Sequence, residues 1–91
     1  MFRYKRSIKE LDYDTQGNVY FTSKRYKRLS VGEQETIRRL CQEAGGQHAK
    51  ALFEFVTTDA GASEVCVKHF LSEKTLERAV RRYYLAFARE W

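Results

Sequence analysis

Leu11-Asp12-Tyr13-Asp14-Thr15-Gln16-Gly17-Asn18-Val19-Tyr20-Phe21-Thr22 is the stretch that decides whether this chain carries a sheet. Leu11 and Tyr13 alternate with Asp12 and Asp14, and Val19 and Phe21 alternate with Tyr20 and Thr22. Alternation of this kind puts apolar side chains on one face of a strand. Between the two runs lies Asp14-Thr15-Gln16-Gly17-Asn18, in which Gly17 can take positive φ without steric cost and Asp14 can bond turn N–H groups. The pattern predicts a β-hairpin over residues 8–23 with a bulged turn at Gly17. A lone hairpin is marginal in water, so this one is expected to lie against the helices that follow.

From residue 30 the hydrophobic period becomes helical. Ser30-Val31-Gly32-Glu33 is a capping box, and Ile37, Leu40, Cys41 and Ala44 follow at helical spacing until Gly45-Gly46. A second helix is expected over residues 47–57, with Ala49, Leu52, Phe53 and Val56 on one face. A short third helix is expected over 60–69. The last, over 73–90, has Ser72 as its N-cap and Leu71 with Leu76 as a hydrophobic staple. Its apolar stripe is Leu76, Val80, Tyr83, Tyr84, Phe87 and Trp91. The fold expected is α+β: an N-terminal β-hairpin packed on a small four-helix bundle whose last two helices resemble a helix-turn-helix.

Ninety-one residues make a single domain, 1–91, divided into a basic hairpin (1–29) and a helical part (30–91). The net charge of +5 is unevenly spread. Residues 1–29 hold eight Lys/Arg against three Asp/Glu, whereas residues 30–91 hold nine of each. Positive charge concentrated in one third of a chain suits an anionic partner, most often nucleic acid. No apolar run approaches the roughly 18 residues that span a bilayer, so no membrane partner is expected. The opening Met-Phe-Arg-Tyr-Lys-Arg is too polar for a secretory signal, which predicts a cytoplasmic protein with Cys41 and Cys66 as free thiols.

The most specific signal is in residues 62–81. A short helix, an interruption and a capped longer helix carry Leu71-Ser72-x-x-Thr75-Leu76-x-Arg78-Ala79-Val80. This resembles the helix-turn-helix of bacterial and phage transcription regulators, over about 20 of the residues and within a unit spanning 60–90. The resemblance implies that Leu71, Leu76, Ala79 and Val80 pack the two helices together, with Cys66 at the place of close approach. It also implies that the second helix enters the major groove. Ser72, Glu73, Lys74, Glu77, Arg78 and Arg81 are then the candidates for reading base edges, with Arg78 or Lys74 suited to guanine and Glu77 to cytosine. Seen only as a solvated helix face, the same residues include one favourable i,i+4 pair, Glu77–Arg81. The family usually has glycine in the turn where this chain has Phe70. A bulky side chain dislikes positive φ, so a longer turn or a different helix crossing is expected.

A second signal is a short duplication: Arg3-Tyr4-Lys5-Arg6 recurs as Arg25-Tyr26-Lys27-Arg28. The hairpin would bring the copies together at its open end. Arg3, Lys5, Arg6, Lys24, Arg25, Lys27 and Arg28 are therefore candidates for holding phosphates or an acidic partner, with the tyrosines free to pack on sugar or bases. In the bland alternative the tyrosines form a cross-strand pair. Tyr83, Tyr84, Phe87 and Trp91 are core or, if exposed, a dimer seam. Cys41, His48, Cys66 and His69 lack the paired spacing of a zinc site, so no metal and no cofactor is expected. With no phosphate loop and no nucleophile elbow, no enzymatic activity is expected. The sequence thus predicts a DNA-binding transcription regulator of a phage or mobile element, acting on double-stranded DNA as a possible homodimer. The alternative is a small interaction module or inhibitor, of the anti-CRISPR type, that uses its basic surface to block a larger nucleic-acid-binding protein.

Overall fold

The computed structural model describes residues 8–91. Five α-helices follow one another: α1 (Tyr13–Lys24), α2 (Val31–Gly45), α3 (Ala49–Thr57), α4 (Ala62–His69) and α5 (Glu73–Glu90). Single 3-10 turns at Tyr26–Arg28 and Gly46–His48 link α1 to α2 and α2 to α3. Among the described residues there is no strand, so the expected β-hairpin and the α+β class are overturned.

The reason lies in the stretch quoted first. Asp12 is an N-cap, not a strand residue: its Oδ1 accepts the Thr15 amide at 2.7 Å. Gly17 therefore falls in the second turn of a helix. The side chains that α1 buries are Gln16, Val19, Thr22 and Ser23, at helical spacing, whereas Tyr13 and Phe21 are 61% and 59% exposed. Three of the four inward residues are polar, and each finds a partner. The Gln16 amide donates to the carbonyls of Ile8 at 3.1 Å and Leu11 at 2.9 Å, pinning the segment before α1. Thr22 donates to Asn18, and Ser23 shares a 2.7 Å hydrogen bond with the buried Tyr83 hydroxyl.

The four later helices stand where their sequence signals put them. Ser30 and Glu33 form the capping box at the start of α2. At its end Gly46 has φ 55°, and a Cβ on Gly45 would meet Leu52 at 3.3 Å, so the two glycines turn the chain and let α3 close on α2. α5 is the spine, lying mainly on α2 and touching α1, α3 and α4. Leu76, Ala79, Val80, Tyr83, Tyr84 and Phe87 form its inward face. They meet Ile37, Leu40, Cys41 and Ala44 of α2, Ala51, Leu52 and Val56 of α3, Val65 and Cys66 of α4, and Val19 of α1 in one core. Burial pushes the Cys41 thiol up to about 12, so it is a packing residue.

Candidate nucleic-acid interface

α4 closes on Phe70, which has φ 58° and ψ 50°. The Phe70 amide bonds the Cys66 carbonyl, and the Leu71 amide reaches the same oxygen at 3.1 Å. That six-residue closure is a Schellman-type stop, which normally places glycine where Phe70 stands. Phenylalanine accepts the left-handed conformation here. Leu71 folds back onto the core, and Ser72 caps α5 by accepting the Thr75 amide at 3.1 Å.

With Leu76, Ala79 and Val80 inward, α5 turns the opposite face of its first two turns to solvent. Ser72, Glu73, Lys74, Glu77 and Arg78 are all exposed. Glu73 accepts from Ser63 of α4 at 3.0 Å, which ties the two helices across the turn. Arg81 differs from its expected place: it pairs with Glu10, not Glu77. Glu10's own backbone amide, and then Arg81, hold that carboxyl below its ordinary range. Arg82 donates to the Ala44 carbonyl at 2.8 Å, capping the end of α2.

Among the basic candidates nearer the start of the chain, Arg3, Lys5 and Arg6 lie outside the described residues. Their expected meeting with the second copy rested on the hairpin, which α1 replaces. Lys24 is withdrawn from any partner, since its ammonium caps the end of α3 by donating to the carbonyls of Phe55 and Thr58. Partial burial there lowers its pKa. Lys27 and Arg28 remain exposed on the 3-10 turn, and Arg25 is exposed just before it. Tyr26 between them packs against described residues, and its expected partner Tyr4 lies outside the described residues. It meets the Phe53 ring edge-on at 4.9 Å, and its hydroxyl accepts from Arg38. Arg38 with Gln42 and Lys50 with Phe53 line a groove beside it; of these the sequence singled out only Phe53, as part of the apolar face of α3. The signal was there, in the i,i+4 and i,i+3 spacings of the two pairs, but it becomes a site only once α2 and α3 pack side by side.

Tyr83, Tyr84 and Phe87 are core, and Trp91 stacks on Phe87 at 4.5 Å while staying 43% exposed. The His69 ring bonds Glu54 at 2.9 Å. Among the described residues no group of three or more His, Cys, Asp or Glu comes together, and no helix is long and apolar enough to cross a membrane. No protein family, curated protein or solved structure matches this chain.

Proposed function

We propose that the chain is a small DNA-binding protein, with α4 and α5 as a helix-turn-helix unit and the start of α5 as the reading element. One observation carries this reading: the first two turns of α5 expose Ser72, Glu73, Lys74, Glu77 and Arg78 together, on a helix held rigidly by a short turn and a buried stripe. Such a face offers a guanidinium and an ammonium for guanine and carboxylates for cytosine. Selection from a random duplex library, followed by anisotropy titrations in a salt series, tests it. An enriched sequence bound more tightly than random duplex is expected. No binding to any duplex at low salt would overturn the reading.

A second reading is supported by Val67 and Phe70, which are 76% and 92% exposed one turn apart at the end of α4. Apolar side chains so placed suit a protein partner. In that reading the chain is an interaction module or inhibitor, and pull-down with a candidate nucleic-acid-binding protein, lost in Phe70→Ser, is its test.

A further inference from the structure

The positive charge without carboxylate partners among the described residues is not confined to α5, which holds Lys74, Arg78, Arg82 and Arg89. Part of it lies at a groove between α2 and α3. Arg38 and Gln42 are one turn apart on α2; Ala49, Lys50 and Phe53 occupy the first two turns of α3. The two helices are held close where Leu52 packs on Gly45. Their outer edges leave a groove of about 220 Å³ lined by these five residues, none of them acidic.

Several cations elsewhere on this molecule are matched. Arg39 pairs with Glu43 and Glu90, Lys68 with Glu54, and Arg81 with Glu10. In the groove they are not. Arg38 donates to the neutral Tyr26 hydroxyl, and Lys50 makes no hydrogen bond or ion pair with any described residue. The adjoining 3-10 turn is fastened to α2, since Gln34 donates to the Tyr26 carbonyl at 2.8 Å. That turn and the residue before it add Arg25, Lys27 and Arg28, none of which pairs with a described carboxylate. Two cations without a carboxylate partner, Arg38 and Lys50, therefore line a groove beside two aromatic rings packed against each other, Tyr26 and Phe53, and three more adjoin Tyr26 in the chain.

This combination is selective. A purely acidic ligand would need no rings, and an apolar ligand would need no charge. Single-stranded nucleic acid needs both, because phosphates and planar bases alternate along it. A duplex does not suit the groove, which is too small for paired bases and whose apolar floor, Ala49 and Phe53, would meet only stacked ones. The further exposed cations next to Tyr26 in the chain favour a strand over a free mononucleotide. We infer that the α2–α3 groove, with the Tyr26 turn, is a binding site for single-stranded nucleic acid. Arg38 and Lys50 take a phosphate, Phe53 receives one unpaired base, and the Gln42 amide is placed to bond that base's edge. This inference does not depend on duplex reading by α5.

The test is anisotropy with a fluorescein-labelled 12-nucleotide DNA of mixed sequence, using the whole chain. Arg38→Gln/Lys50→Gln changes exposed side chains and is expected to lower affinity at least tenfold. It should also make the salt dependence shallower by about 0.7 in log–log slope, the value for one phosphate neutralised on a single strand. Phe53→Leu keeps an apolar side chain and is expected to lose at least fivefold affinity with the salt slope unchanged. Amide resonances of residues 38, 42, 50 and 53 in the wild type should shift on adding the unlabelled oligonucleotide. The inference is overturned by no binding at low salt, by equal affinity in the double variant, or by a Phe53→Leu variant that binds as the wild type does. AMP binding as tightly as the oligonucleotide would also overturn it in favour of a mononucleotide pocket. A wild type that binds the oligonucleotide but no duplex would support the groove while removing the reading of α5.

Discussion

Gly17 stands in the interior of α1 with open space where a Cβ would be. Glycine inside a helix costs roughly 0.5–1 kcal/mol relative to alanine. Gly17→Ala is therefore expected to raise stability by about that much, a few degrees in a thermal melt for a domain of this size. The sign matters more than the size: at a positive-φ hairpin turn the same change would destabilise. Phe70 is the converse case, a bulky residue at φ 58°, where glycine is at no steric disadvantage. Its ring is 92% exposed and contributes nothing to the core. Phe70→Gly is expected to stabilise the fold by about 1 kcal/mol, read as a higher melting temperature. A lower melting temperature would show that the ring makes a stabilising contact in the folded chain. Strain kept at an exposed position points to a use other than stability, and the turn beside the start of α5 is where that use would lie.

At the scale of the element, α2 and α5 were legible because their buried faces are apolar and their starts are capped by serine. α1 was not, for a physical reason. Its inward side chains are Gln16, Thr22 and Ser23 with only Val19 apolar, so hydrophobic periodicity had one residue to work with. The visible pattern was set instead by the outward Tyr13 and Phe21, which imitate a strand's alternation. α1 is held by specific polar bonds. Ser23→Ala leaves the buried Tyr83 hydroxyl without its 2.7 Å partner and is expected to cost about 1–3 kcal/mol in denaturant unfolding. A neutral change would mean that α1 docks by packing alone. Leu76 is the opposite kind of anchor, apolar and 1% exposed in the cluster that also holds Val65 and Cys66 of α4. Leu76→Ala is expected to destabilise by about 2–5 kcal/mol. A variant melting within a degree of the wild type would remove the packing that keeps α4 and α5 in their present crossing. The groove on α2 and α3 escaped the sequence for a third reason: its residues come from two helices whose pairing, not whose spacing, creates it.

Over the whole molecule, the proposed DNA binding divides the labour between affinity and specificity by charge. The first two turns of α5 carry Glu73 and Glu77 beside Lys74 and Arg78, so the proposed reading face is locally neutral. A neutral face attracts a polyanion weakly, and its two carboxylates repel phosphates placed at random. Specific hydrogen bonds to bases are then the means by which it gains from contact. On that proposal affinity comes from cations without carboxylate partners, such as Arg25, Lys27 and Arg28, which are exposed and lie before the neutral stretch of residues 30–91. Arg78→Ala is accordingly expected to cost roughly 1–3 kcal/mol on the selected duplex and to relax preference at one base pair, with random duplex little affected. Its salt dependence should change by less than about one in log–log slope. Replacing Arg25, Lys27 and Arg28 with glutamine should do the reverse. Selected and random duplex should weaken by similar factors, and the slope should flatten by up to about 2–3, at roughly 0.9 for each phosphate no longer neutralised. Far-UV circular dichroism should be unchanged in both, because all four side chains are exposed. Equal losses on selected and random duplex for Arg78→Ala would make it a phosphate-binding residue, and the start of α5 would then position the protein on DNA without reading it.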